Sequence, residues 1–247
     1  MKIITDDSVD VNEVEKLPLY VEWKGRRIRV SSIKRKSYFL SNKRTYVELP
    51  YYEEIRDVLT KAVARYGTVE VLLPLWPAIF LKRTVMFVSS IIEGVKLREA
   101  KMDSVSLSFF LKSGKPLEEL HSFAQNSRTY LLLPDVSVLK KNGVIPEERF
   151  KSVITKSVNL VKFSCGVVQV KSSWSVKGAI SEMVKEINPR KHFTIVVRHS
   201  GKSRLANILT TTLISDFGHR VSLGWMNPVA ASRYGHGTVT VSVIPEV

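Results

Sequence analysis

Apolar and polar residues follow two rhythms along this chain, and the changes between them mark out its elements. Residues 1–5 form a short β-branched strand, and Asp6-Asp7-Ser8 behind it has the composition of an exit from strand to helix cap. Residues 19–23 are a second strand. Lys24-Gly25 then turns the chain into Arg27-Ile28-Arg29-Val30, where apolar and charged positions alternate as in a hairpin with one wet face. Pro50 opens a helix with Ile55, Val58, Leu59, Ala62 and Val63 at helical spacing, and Gly67 ends it. Residues 69–73 are mostly apolar, which predicts a strand buried on both faces, as in parallel sheets. Next come a helix at about 79–92, a strand at 104–107, a helix at 116–126 and a strand at 128–133. This alternation predicts a parallel α/β sheet with right-handed crossovers.

The texture changes after Lys140-Lys141-Asn142-Gly143. Residues 157–170 alternate like a strand pair with Cys165-Gly166 as its turn. A helix at 176–187, a strand at 192–197, a helix at 203–217 and a strand at 220–223 follow, and residues 238–243 alternate strictly. Strands now outnumber crossovers, so the second part is expected to be a more antiparallel α/β domain. The boundary is placed near residue 152, giving an N-terminal α/β domain over 1–152 and a C-terminal one over 153–247.

Composition changes this picture in one respect. The 38 Lys and Arg against 23 Asp and Glu give a net charge of +15, which fits a polyanionic partner or simply a lysine-rich surface. Between Glu22 and Glu48 no acid occurs, while bases from Lys24 to Arg44 are interleaved with Trp23, Tyr38, Phe39 and Tyr46. Single-stranded nucleic-acid grooves are often built this way, but no recognisable nucleic-acid module surrounds the run, and a solvated basic loop explains it as well. Cys165 is the only cysteine, which excludes an intrachain disulfide and a multi-cysteine zinc site. The first residues show no signal-peptide pattern, and no apolar run reaches the ~20 residues of a membrane span. A cytoplasmic protein is expected.

Catalytic motifs are scarce. Gly201-Lys202-Ser203 precedes a helix as in a phosphate-binding loop, but the glycine that such a loop needs five positions earlier is Val196. None of His121, His192, His199, His219 and His236 pairs at metal-ligand spacing, so neither metal nor cofactor is called. Gly-x-Ser-x-Gly does not occur, and Cys165 has no visible base. No enzyme activity is expected.

Several segments, taken in order, resemble one family. Ile3-Ile4-Thr5-Asp6-Asp7-Ser8-Val9-Asp10-Val11 is similar to the opening of the DegV family of bacterial fatty-acid-binding proteins, where a strand runs into Thr-Asp-Ser-x-x-Asp. Leu17-Pro18-Leu19-Tyr20-Val21 with Lys24-Gly25 resembles its next strand pair. Residues 105–119, residues 131–143 with Asp135, and Lys177-Gly178-Ala179 fall in the family's order. Arg233-Tyr234-Gly235-His236-Gly237-Thr238-Val239 resembles its closing His-x-Gly-Pro-Gly-Thr loop. The resemblance spans nearly the whole chain.

It implies two α/β domains with a fatty acid in the cleft between them. The carboxylate is held by hydroxyls and the closing loop, the tail lies in an apolar tunnel, and a separate acyl kinase acts on the bound chain. The site residues it implies here are Arg233, Gly235, His236, Gly237, Thr238 and Asp6, with Tyr51, Trp76 and Phe80 along the pocket. The departures fall on the family's hydroxyls. Val47-Glu48-Leu49-Pro50-Tyr51-Tyr52 stands where the family has Thr-Ser-Gln-Pro-Ser-Pro, and Leu75-Trp76-Pro77-Ala78-Ile79-Phe80-Leu81 stands where it has Ser-Ser-x-Leu-Ser-Gly-Thr. Arg233 replaces the closing histidine, and His236 the proline. Three readings stay open: a diverged acyl-lipid binder with Arg233 as its anion contact, a member that has lost its ligand and acts as a structural or regulatory partner, and a nucleic-acid binder using residues 24–44.

Overall fold

The computed structural model describes residues 2–33, 47–76, 81–133, 137–142, 158–187, 192–201 and 203–246. In chain order the first half holds β1 (Lys2–Asp6), β2 (Glu15–Leu17), β3 (Tyr20–Trp23), β4 (Arg26–Arg29), β5 (Val47–Glu48), α1 (Tyr52–Tyr66), β6 (Val69–Leu73), α2 (Leu81–Ser89), β7 (Val95–Glu99), α3 (Ser104–Lys112) and α4 (Leu120–Asn126). The second holds β8 (Arg128–Leu133), α5 (Ser137–Lys141), β9 (Val158–Ser164), β10 (Val167–Ser173), α6 (Val176–Glu186), β11 (Phe193–His199), α7 (Ser203–Phe217), β12 (Val221–Trp225), α8 (Pro228–Tyr234) and β13 (Val239–Pro245).

The first main sheet is parallel, in the order β2-β1-β6-β7. All five residues of β6 are buried, as its apolar run required. The second has the order β10-β9-β8-β13-β11-β12 and is antiparallel except for the pair β11 and β12. A small antiparallel sheet, β4-β3-β5, flanks the first. Both two-residue hairpin turns have positive φ at each central residue: 54° and 70° at Lys24-Gly25, 43° and 86° at Cys165-Gly166. That turn class matches the right-handed twist of the paired strands. One apolar cluster is confined to the second sheet and its helices, centred on Tyr130, Ile195 and Val241. Another joins the two units, with Ile4 and Val71 from the first and Phe163, Val229 and Tyr234 from the second.

Four expectations need correction. Residues 104–107 are the start of helix α3. Their period-two serines look like a strand, but the Asp103 carboxylate caps the helix by accepting from Ser106 N at 2.6 Å, and Ser108 Oγ donates back to Ser104 O. β7 took its place; Val95-Lys96-Leu97-Arg98-Glu99 alternates, and the helix before it stops at Ser89, short of residue 92. No helix follows Asp6-Asp7-Ser8, which turn the chain toward β2. β8, expected in the parallel sheet, is hydrogen-bonded between β9 and β13. A boundary near residue 152 therefore separates β8 from its own sheet. Among the described residues no helix is long and apolar enough to cross a membrane.

Candidate functional site at the strand ends

β1 is flanked by β2 on one side and β6 on the other, so the winding of the parallel sheet reverses between β1 and β6. In open parallel sheets the crevice beyond the carboxyl ends at such a reversal is the usual ligand site. Here Asp6, Asp7 and Ser8 emerge from β1, Trp76 follows β6, and Asp103 follows β7. A bridge between Trp76 and Asp103 continues the sheet for one more pair.

A cleft opens at this edge, walled on one side by Ser8, Asp10 and α3 and on the other by Arg198, Asn227, Tyr234 and Thr240. Asn227 latches the two sides, since its Nδ2 donates to Asp7 O at 3.3 Å while its Oδ1 caps α8 by accepting from Val229 N at 2.9 Å. Lys112 and Arg198 bring positive charge to the wall, Asp10 and Asp103 negative. Asp103 is buried and spent on structure: besides Ser106 N it accepts from the Thr129 hydroxyl and from Ser242 Oγ at 2.7 Å, tying the first sheet's edge to β8 and β13. Ser108 is spent too, accepting from Asp10 N and donating to Ser104 O.

Two buried polar atoms at this edge are left over. Ser8 Oγ and Asp6 Oδ2 have no hydrogen bond of good geometry, although Ser8 N donates to Asp6 Oδ1 at 2.7 Å. Buried polar groups are normally satisfied, so such a residue of unmet capacity beside a cleft points to a ligand or ordered water. Burial pushes the Asp6 carboxyl up to about 6, opposed in part by Ser8.

The predicted site residues fall as follows. Asp6 is fully buried at the end of β1, behind Ser8. Tyr51 is exposed at the start of α1, its ring 4.5 Å from the Arg27 guanidinium. Trp76 is buried, 4.2 Å from the Phe163 ring. Phe80 lies outside the described residues. Arg233 lies in the last turn of α8, where burial lowers its pKa. Gly235 ends the helix at φ 94°, and its N–H donates to Ala231 O. The exposed His236 ring packs on Gly201, its Cε1 2.5 Å from where a Cβ would sit. Gly237 N donates to Ser200 O, and Thr238 Oγ1 to Tyr234 O at 2.9 Å. None of the described members of that set is among the residues lining the cleft cavity. Ser8, Lys112 and Asn227 were not singled out. Ser8 stood in the opening segment, and Asn227-Pro228 is a readable helix start.

The basic run is partly neutralised. Arg27 pairs with Glu48 and Glu54 and lies over the Tyr20 ring at 3.5 Å; Arg29 pairs with Asp7 at 2.7 Å. Residues 34–46 lie outside the described residues. Among the described residues no three His, Cys, Asp or Glu side chains gather as a metal centre requires.

No protein-family model and no curated protein matches this sequence. Solved structures do match in fold. A fatty-acid-binding DegV family protein from Streptococcus agalactiae aligns with a TM-score of 0.75 at 16% identity, over 100% of this chain and 99% of its own. A fatty-acid-binding DegV family protein from Thermus thermophilus aligns at 0.74 and 18%, over 99% of each chain. A DegV family protein from Eubacterium eligens, loaded with heptadecanoic acid, aligns at 0.70 and 13%, over the whole of both chains.

Proposed function

We propose that this protein is a diverged DegV-type binder that holds a fatty acid or related acyl lipid in the cleft between its two units and performs no chemistry on it. The observation that carries the reading is the whole-chain likeness to fatty-acid-binding proteins of this fold, with a cleft at the strand ends lined by Ser8, Lys112 and Arg198. The head group sits against Ser8 and the positive charge of Lys112 and Arg198, and apolar Phe109, Met226 and Ala230 receive the first part of the chain. The 233–238 loop shapes the cleft by ending α8 and starting β13. In this reading the anion contact is Ser8 with Lys112 and Arg198 rather than Arg233.

Native mass spectrometry of the purified protein is expected to show an added acyl mass, and saturating fatty acid is expected to raise the melting temperature. Repeated preparations that are empty, together with no thermal shift by acids of any length, sink the reading.

A further inference from the structure

We infer that β12 is the contact strand of a symmetric dimer, in which a second copy of this chain lays its own β12 antiparallel to the first. An edge strand offers unpaired N–H and C=O groups, and natural sheets guard such edges with charged side chains or cover them. The three sheets have six edge strands, and five carry charge: Lys16 in β2, Arg98 in β7, Arg29 in β4, Glu48 in β5 and Lys171 in β10. β12 reads Val221-Ser222-Leu223-Gly224-Trp225 and carries none. Among the described residues it is hydrogen-bonded on one side only, to β11. Ser222 is exposed, and so is Leu223, at 41%.

The neighbouring helix widens this uncharged strip. α7 packs on β11 and β12 and turns Ile208, Thr211 and Ile214 to solvent. Residues 205–232 include Asp216 and Arg220 and no other Asp, Glu, Lys or Arg, in a chain where these make up 25%. Arg220 stands before the strand and pairs with Glu246 at 3.3 Å. Leu223 is in register with Val197, on the face that α7 covers, whereas Arg198 lies across Gly224 on the cleft face. Charge then selects the occupant. Two copies at +15 repel wherever their bases face each other, so they meet best along a surface free of bases. An acidic partner finds no base to read along β12 itself. Pairing β12 with its own copy about Leu223 sets Val221 against Trp225, Ser222 against Gly224 and Leu223 against Leu223, and no charge enters the ladder. The two Arg220 residues then stand six positions apart along the ladder, about 20 Å, which is beyond the screening length. The same two-fold brings the two α7 helices side by side over one continuous sheet.

Leu223 does not line the cleft, so the dimer can be tested apart from what the cleft binds. Sedimentation equilibrium is expected to show a mass that rises with concentration from 28.0 kDa toward twice that value. Leu223→Lys is expected to weaken association at least about tenfold with near-ultraviolet circular dichroism intact, because the two-fold sets two like charges face to face. Val167→Lys, at an exposed position on the β10 edge, is expected to leave association unchanged. In a Cys165→Ser background, Leu223→Cys is expected to form an intermolecular disulfide under mild oxidation, since directly opposed residues of an antiparallel pair have Cα atoms within disulfide range. Wild type that stays monomeric up to about 1 mM overturns the inference. So does a dimer that Leu223→Lys leaves intact, one that Val167→Lys disrupts equally, or one that Leu223→Cys fails to cross-link.

Discussion

The Gly235–Thr238 loop and the Asp6–Ser8 turn are both built from small and polar residues at the edge of a strand, yet their polar groups meet opposite ends. In the loop nearly everything is consumed locally: Gly235 N by Ala231 O, Gly237 N by Ser200 O, the Thr238 hydroxyl by Tyr234 O, and the Ser200 hydroxyl by Gly235 O. At the turn, Ser8 Oγ and Asp6 Oδ2 are buried with nothing in good geometry to meet them. A loop whose donors are spent on itself is a joint. A turn that holds capacity in reserve is where a second molecule can be recognised. Motif likeness points to the first as the ligand contact, and the function proposed above puts that contact at the second.

The largest effect is expected from breaking what holds the turn's side of the cleft together. Asp103→Ala strands the Thr129 and Ser242 hydroxyls and Ser106 N and removes the cap of α3, with an expected cost of about 3–5 kcal/mol. Urea unfolding reads it directly. Asp103→Asn keeps an acceptor and should lose less. A loss below about 1 kcal/mol for the alanine variant would mean that this carboxylate is not the tie between the sheets.

How much of this was legible beforehand differs by element. Strands with clean alternation or continuous burial, such as β6 and β13, and hairpin turns such as Cys165-Gly166 were readable because one rule governed each. α3 was misread because Ser104-Val105-Ser106-Leu107 has the period of a strand, and only the cap from Asp103 and the packing of Leu107 and Phe110 resolve it. The cleft was not readable, because its walls come from residues far apart in sequence. Ser8 faces Asn227 and Tyr234 only after two sheets have packed. No local pattern says which serine will stand at the cleft.

A pH titration sharpens the same contrast. Asp6 has a folded-state pKa near 6 against an ordinary value of 3.8, because burial disfavours its charge. Between those values the folded protein keeps a proton that the unfolded chain has lost, so stability falls as pH rises through that window, by up to roughly 3 kcal/mol. Glu54, held down to about 2 chiefly by its hydrogen bond from Arg27, acts in the other direction and lower down. Glu186 is also near 2: burial alone would raise it, but the bonds from Lys162 and Lys171 outweigh that. Their contributions are present above about 4.5 and fade as pH falls toward 2. Asp6→Asn is expected to abolish the decline between pH 4 and 6.5 while leaving the acid limb in place, as urea midpoints across that range would record. An unchanged decline would assign it to another group.

The smallest expected effects come from a crossed pair of substitutions that sets loop against turn. Gly235 sits at φ 94° and ψ 154°, a region essentially closed to other residues, and a Cβ there would meet Val138 Cγ1 at 3.1 Å. Gly235→Ala should therefore cost about 1–3 kcal/mol of stability. Provided it folds, its affinity for a fatty acid should stay close to that of wild type, since the loop's donors are already engaged. Ser8→Ala should do the reverse. It removes a hydroxyl with no partner in good geometry, so stability should change by less than about 1 kcal/mol, while binding loses one hydrogen bond to a charged head group, about tenfold in Kd. Melting curves with and without ligand read both terms in one experiment. If Gly235→Ala weakens binding more than Ser8→Ala does, the loop is the contact and the turn is the joint, and the assignment of roles must be exchanged.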